Sequence, residues 1–569
     1  MTSKPPSTSD PESRHHFAVT VALAVAHVML FVASFPSLNL WVLSLASPAP
    51  LVWLAIHART TRRAVLTAFV AHLLMWLWMQ RWIMPVTAVG YPLLSFYLAG
   101  YAALFVWLVR RISRHARLGR WPATFIVPVL WVGVECLRGE LMFNGYPWYL
   151  LAHPLIEWPV LVQSADLLGT YWVSFLAAMF CGAVIDAVTM YRARAFQRVT
   201  VAAVVLVLLL HAGNITYGLW RIGQDALLPG PSILVIQTNL AQDNKIGWPR
   251  ERQLEDFDSF VILTNQAHAL VSASDAKPDL IVWPETMVPG YGLEPETIEY
   301  QRENGYYPGD VYSATLGKLV EMLGTPLLAG SPSYLGLRVV GEELKQWQWD
   351  HHYNSAYLVH GDPPYQRYDK HFLTPFGETM PYISAWPWLE QRLLALGAEG
   401  MRFDLDASPE IKRLRLEWDN QTLELATPIC FEDTMARVCR KMIYPDGTKR
   451  GHMLINLSND GWFGASKAGR RQHVQIARFR CVENRVPMAR AANTGLSVLI
   501  DSRGKLIDRI GEGRYGAAQT PGWLVGELPL DSRSTLYGQV GDVWAWLCLI
   551  GTVVLGGWAI LVKGQRTQT

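Results

Sequence analysis

The chain has 569 residues, of which 51% are hydrophobic and only 17% charged. A wholly soluble protein is roughly a quarter charged, so a single soluble domain is excluded and part of the chain is expected in lipid. A net charge of +3 with no long basic run gives no ground for a nucleic-acid partner.

Runs of about 20 apolar residues mark spanning helices. Seven crowd the N-terminal part, at 16–35, 38–57, 64–84, 91–110, 121–138, 164–189 and 198–217, and an eighth lies at 543–562. With the N-terminus inside, the inner segments carry fifteen Lys and Arg, from Lys4 and Arg14 to Lys563 and Arg566. The outer ends carry only Arg81 and Arg138. By the positive-inside rule both termini are cytoplasmic. The expected organisation is a seven-span membrane domain at 1–217, a periplasmic catalytic domain at 218–537, and an eighth transmembrane helix with a cytoplasmic tail at 538–569.

From 231 onward the pattern shortens. Strands are predicted at "SILVIQ" (232–237), "DLIVW" (279–283), "PLLAGS" (326–331), "NSAYLVH" (354–360), "LELATPI" (423–429) and "HMLINLS" (452–458). "LSVLID" (496–501) and "LIDRI" (506–510) read as a hairpin. One helix carries Leu254, Phe257 and Val261 on a face; another, near 470–485, carries Val474, Ala477, Cys481 and Val482. Alternating strands and helices predict an α/β domain.

Three strands end next to a reactive group. "DLIVW" leads into Pro284-Glu285, "YDKHFLTPFGE" carries Lys370 and Glu378, and "LELATPI" delivers Cys430. Taken singly, Glu285 solvates a loop, Lys370 is a surface charge and Cys430 is a buried thiol. Taken together they supply a base, an oxyanion stabiliser and a nucleophile. The six cysteines form no CxxC pair or zinc-finger spacing, so neither a metal site nor a cofactor is expected.

The motifs "LIVWPET" (280–286), "YDKHFLTPFGE" (368–378), "PICFED" (428–433) and "LINLSNDGWFG" (454–464), with "LRGELMFNGYPW" (137–148) among the spans, carry a resemblance. The chain resembles the apolipoprotein N-acyltransferases, membrane-bound members of the nitrilase, or carbon–nitrogen hydrolase, superfamily. The resemblance implies an eight-span helical bundle plus an extramembrane α-β-β-α sandwich, and a catalytic triad of Glu285, Lys370 and Cys430. It implies support from Glu378, Glu432 and Trp248, with Phe431 where many relatives have Tyr. The implied donor is a phospholipid such as phosphatidylethanolamine, cleaved at its sn-1 ester. The implied acceptor is the N-terminal amine of a diacylglyceryl-cysteine apolipoprotein, reached through a thioester at the bacterial inner membrane.

An apolar flap at 383–397 places Trp386, Trp388, Leu389 and Leu393 as a lid at the bilayer interface, or as an ordinary amphipathic loop. Two rival functions stand beside the acyltransferase. A membrane-anchored amidase shares the triad and differs only in its acceptor. A transporter or scaffold with a binding-only outer domain is disfavoured, because Glu135, Arg138, Asp166 and Asp186 lie toward span ends and leave no central polar path.

Overall fold

The computed structural model describes residues 11–240, 248–273, 277–341, 346–386, 388, 392, 404–464, 466–512 and 516–562. The chain divides into two compact units, Met1–Ser164 with Thr170–Leu219 and Asp542–Thr569, and Ala165–Gly169 with Trp220–Gly541.

The first unit is helical. Among the described residues five helices are long and apolar enough to cross a membrane: His15–Ser34, Gly90–Ser113, Thr170–Ala193, Arg198–Gly223 and Val543–Leu561. The other three apolar runs also fold as helix. Pro48–His57 is a 10-residue helix preceded by a 3₁₀ turn, Trp41–Leu45. Thr61–Met79 has 19 residues, and its start is capped by Thr60 Oγ1, which accepts from Arg63 N. Ala123–Cys136 has 14 residues and runs on into a π turn, Leu137–Leu141.

Several charged groups in this unit bind backbone. Asp186 accepts from the N–H groups of Ala123 and Thr124, both at 2.9 Å, and so caps the start of the Ala123–Cys136 helix. Glu135 accepts from Leu151 N and Trp131 Nε1, and Arg138 Nη1 donates to Trp148 O at 2.8 Å.

The second unit holds two six-stranded sheets. Their strands are β1 (Ser232–Gln237), β2 (Leu280–Val282), β3 (Leu327–Leu335), β4 (His351–Val359), β5 (Gln366–Asp369), β6 (Leu414–Trp418), β7 (Gln421–Ala426), β8 (Met453–Ser458), β9 (Met488–Ala492), β10 (Val498–Ile500), β11 (Leu506–Arg509) and β12 (Gly522–Glu527). One sheet runs β12-β1-β2-β3-β4-β5 and the other β11-β10-β9-β8-β7-β6. Each has a three-strand parallel centre, β1-β2-β3 and β7-β8-β9, with antiparallel edges. The parallel strands are almost wholly buried, which is why they read as unbroken apolar runs.

The sheets meet through Gln237, whose Oε1 accepts from Ser497 Oγ at 2.6 Å, and through Leu240, whose backbone pairs with the Asn493 amide. Helices Arg250–Ser272 and Val311–Leu323 cover the first sheet through Phe257, Phe260, Leu316 and Leu319. Helices Ala436–Ile443 and Lys467–Asn484 pack on each other beyond the second. The result is a helix–sheet–sheet–helix sandwich. Cys481 is fully buried on the second helix, as its spacing predicts.

The run 164–189 departs from one continuous span. Gly169, at φ +79°, separates a short helix, Ala165–Leu168, from Thr170–Ala193. Asp166 on that short helix ion-pairs with Arg221 at 2.7 Å and Arg485 at 2.8 Å, which ties it into the α/β unit.

Candidate active site

Glu285 lies just past the end of β2. The preceding Trp283 is fully buried, donates to Thr264 Oγ1 at 3.0 Å and packs on Phe260, so the strand end is pinned to helix Arg250–Ser272. Close approach is needed here. A Cβ on Gly330 of β3 would stand 2.5–2.7 Å from Thr286 N, Pro284 O and Glu285 Cα. The Glu285 carboxylate is held at both oxygens, Oε1 by Asn354 Nδ2 and Oε2 by Asn459 N, each at 2.8 Å.

Lys370 follows β5 directly and is fully buried. Its N–H donates to Asn354 O, continuing the β4–β5 pairing. Its ammonium lies 2.7 Å from Glu378 Oε2 and 4.0 Å from Glu285 Oε1.

Cys430 opens a 3₁₀ turn, Cys430–Thr434, beyond β7. All six cysteines are free, and Cys430 alone among them is not buried. Its φ of +51° is a left-handed conformation that a non-glycine residue adopts only when its surroundings enforce it. Glu432 supplies much of that enforcement. Its Oε2 accepts from Ile429 N, its Oε1 from His371 N and Phe372 N, and both oxygens from Tyr368 Oη. One carboxylate therefore clamps the Cys430 turn to the segment bearing Lys370. Phe431 stacks on Phe372 with centroids 6.3 Å apart, so the ring is used in packing.

The Cys430 thiol and the Glu285 carboxylate act on each other's affinity for protons. Burial pushes the thiol well up, the Glu285 charge pushes it further, and Lys370 opposes both. The resting sulfur is therefore a protonated thiol beside a carboxylate. Burial raises Glu285 as well, against the pull of Lys370. Burial works to lower Lys370, but Glu378 and Glu285 outweigh it and hold the amine cationic. Burial works to raise Glu378, but the Lys370 ammonium overcomes it and leaves that carboxyl below the ordinary carboxylate range. A protonated thiol, a carboxylate with raised affinity for protons and a fixed cation are groups that acyl transfer can use.

Residues 247–530 match the carbon-nitrogen hydrolase family, and residues 28–183 match the apolipoprotein N-acyltransferase N-terminal domain. A protein of Geobacter metallireducens named apolipoprotein N-acyltransferase is 31% identical over 563 residues, 96% of each chain. The chain belongs to the apolipoprotein N-acyltransferase family. A relative of the same name from Chlorobaculum tepidum is 28% identical over 83% of this chain and 85% of its own. An amidase from Nesterenkonia sp. covers 56% of this chain and 96% of its own at 17% identity, with a TM-score of 0.34.

This N-acyltransferase family member gathers Glu285, Lys370, Cys430, Glu378 and Glu432 into one cluster, in which Glu285, Lys370 and Glu432 are buried and Cys430 and Glu378 half-buried. Trp248 is fixed through its indole, which donates to Asp256 at 2.9 Å at the start of helix Arg250–Ser272. Trp386 and Trp388 are exposed, at 56% and 62%, and Arg392 lies 5.9 Å over the Trp388 ring. Leu389 and Leu393 lie outside the described residues, as do 241–247 before Trp248. Sequence reasoning missed Asn354 and Asn459. Each stood inside a quoted stretch, "NSAYLVH" and "LINLSNDGWFG", where neighbouring apolar residues signalled only a strand.

Proposed function

We propose that Cys430, Glu285 and Lys370 form the catalytic triad of a two-step acyl transfer from a phospholipid to an apolipoprotein. The Glu285 carboxylate 4.0 Å from the Lys370 ammonium, both acting on the Cys430 thiol at the end of β7, carries this reading. Cys430 Sγ attacks the sn-1 ester carbonyl carbon while its proton passes to Glu285. Lys370 faces the developing oxyanion, where one such donor is worth about 10²–10³ in rate. The carbon–oxygen bond then breaks, Glu285 returns the proton to the departing lysophospholipid oxygen, and a thioester remains on Cys430.

The neutral α-amine of the diacylglyceryl-cysteine acceptor attacks that thioester. Its proton passes to Glu285, the carbon–sulfur bond breaks, and the sulfur regains a proton from Glu285. An amide leaves, and the scheme is ping-pong. Phosphatidylethanolamine is the proposed donor. Glu378 holds the ammonium, Glu432 holds the nucleophile turn, and Trp248 and Phe431 shape the surrounding walls. Exposed Trp386 and Trp388 fit a lid resting at the bilayer interface.

The proposed organisation is 1–217 as a seven-span membrane domain, 218–537 as a periplasmic catalytic domain, and 538–569 as an eighth span with a cytoplasmic tail, in the bacterial inner membrane. The Lys and Arg asymmetry of the loops supports the orientation. Length supports a span at 121–138: the 14-residue helix and 5-residue π turn from Ala123 to Leu141 reach about 28 Å at about 1.5 Å per residue, against a bilayer core of about 30 Å.

Mass spectrometry of the protein after incubation with phosphatidylethanolamine tests the chemistry. A fatty-acyl adduct on Cys430, discharged by a diacylated lipopeptide and absent in Cys430→Ala, is expected. A labelled adduct on Cys430→Ala overturns the assignment.

A further inference from the structure

Four buried side chains that the acyl-transfer scheme does not use run as a chain between its two working turns. Asp433, three residues after Cys430, places Oδ1 2.6 Å from Nε2 of His473 on helix Lys467–Asn484. His473 Nδ1 lies 2.8 Å from Arg490 Nη2 on β9, and that same Nη2 lies 2.9 and 3.1 Å from the two oxygens of Asp460. Asp460 also accepts from Ser458 Oγ at 2.8 Å. Its neighbour Asn459 provides the N–H that holds Glu285 Oε2.

We propose that Asp433, His473, Arg490 and Asp460 are positioning residues that keep the turn bearing the nucleophile in register with the turn that orients the base. The proposal rests on the triad reading of Cys430 and Glu285. His473 Nδ1 also lies 3.5 Å from Asp460 Oδ1, so the ring touches both carboxylates of the set, Asp433 through Nε2 and Asp460 through Nδ1. The histidine is thus a two-ended spacer. All four residues are at most 2% exposed. The Asp460 carboxylate pairs with Arg490, Asp433 pairs with His473, and Arg470 Nη2 reaches the Asp460 backbone O.

A buried ionic set of this kind is weak support for stability, because well-packed apolar residues of equal volume often do as well. Orientation is what it supplies. Gly495 fits that role: a Cβ there would lie 2.1 Å from Asp460 Oδ2, so the backbone is shaped around the carboxylate. A shift of about 1 Å at Asp460 would move the Asn459 N–H off Glu285, and displacements of that size cost about 10²-fold in rate.

The test is single-turnover thioester formation by the full-length protein in phosphatidylethanolamine liposomes, with the sn-1 chain labelled. His473→Ala is expected to slow acylation by about 10–100-fold, with the KM for phospholipid unchanged. His473→Gln is expected to recover most of the rate, since its amide donates at one end and accepts at the other. Asp433→Ala, which releases the nucleophile turn alone, is expected to reproduce the loss and serves if His473→Ala does not fold. Acylation at the parent rate in His473→Ala or Asp433→Ala overturns the proposal. So does a His473→Gln protein as slow as His473→Ala, or a loss carried by KM with the rate intact. Cys430→Ala runs beside them: no label there with an unaffected His473→Ala rejects the positioning chain and leaves the triad standing, whereas label on Cys430→Ala overturns both.

Discussion

Lys370 Nζ sits 2.7 and 2.8 Å from the two carboxylate oxygens of Glu378, yet 4.0 Å from Glu285 Oε1. The ammonium is therefore neutralised chiefly by the carboxylate that does no proton transfer, and Glu285 keeps its affinity for protons. In Glu378→Gln the ammonium turns to Glu285 and weakens it as a base. Thioester formation is expected to fall by about tenfold or more, with a stability loss of about 3–5 kcal/mol for breaking a buried ion pair. Single-turnover kinetics and denaturant melts on the same preparation check both.

The pH dependence of acylation follows from Glu285. Its affinity for protons is raised, chiefly by burial. The acid limb of the acylation rate is therefore expected above the ordinary carboxylate value of about 4.3, where the base becomes protonated and cannot take the thiol proton. Glu285→Gln is expected to remove that limb and lower the rate by about 10²–10⁴-fold. A rate–pH profile of thioester formation reads the limb; one centred at the ordinary value would contradict the environment found for Glu285.

Glu432 makes a stability prediction of its own. Burial, opposed by hydrogen bonds from Ile429 and the pull of Lys370, carries its carboxyl up to about 7. Between its unfolded value and about 7 the folded protein binds more protons than the unfolded chain, so stability from this group is complete at low pH and is lost as pH rises through about 7. Glu378 and Lys370 run the other way. The depressed Glu378 adds stability that is lost only as pH falls through its low folded value, and the raised Lys370 adds stability lost only at alkaline pH. Glu432→Gln is expected to flatten the fall in Tm between about pH 5 and pH 7, measured by thermal unfolding in matched buffers.

Gly330→Ala tests the close approach of β3 to the base. The added methyl meets Thr286 N, Pro284 O and Glu285 Cα at 2.5–2.7 Å, all of them backbone or Cα atoms that cannot turn aside. Overpacking of this kind costs about 1–3 kcal/mol, and displacement of Glu285 is expected to slow acylation more than it weakens phospholipid binding. Comparing kcat with KM for the donor separates the two effects.

Trp386 and Trp388 are more than half exposed. If they guide acyl chains and exclude water at the interface, Trp386→Ser with Trp388→Ser is expected to raise hydrolysis of the thioester severalfold relative to transfer, at unchanged fold stability. Free fatty acid and acylated lipopeptide released from the same preloaded enzyme give the ratio; an unchanged ratio would count against a lid.

Much of the α/β unit was legible in the sequence, because strands buried on both faces must be apolar throughout. β1, β2, β3, β4, β7 and β8 all fall on stretches read that way. The β10–β11 hairpin was legible for a different reason, a four-residue turn between short β-branched runs. β6, with charged residues at alternate positions in "LRLEW", and β9, "MARAA", gave no such signal. β9 is nonetheless fully buried, and Arg490 on it reaches Asp460 and His473 through Nη2. In the helical unit, apolar composition located the five long helices, but where Gly169 or a π turn interrupts a run depends on backbone geometry that hydropathy does not record.

By itself the sequence determined which side chains carry reactive groups and that they follow strand ends, since local pattern is set by burial and by turn chemistry. Only the tertiary structure decided what those groups are. The thiol of Cys430 is a protonated partner of Glu285, and Lys370 is a cation claimed first by Glu378, because these states depend on distances between segments far apart in the chain. Asn354, Asn459 and the chain from Asp433 to Asp460 belong to the same class: a hydrogen bond has meaning only once both ends are in place.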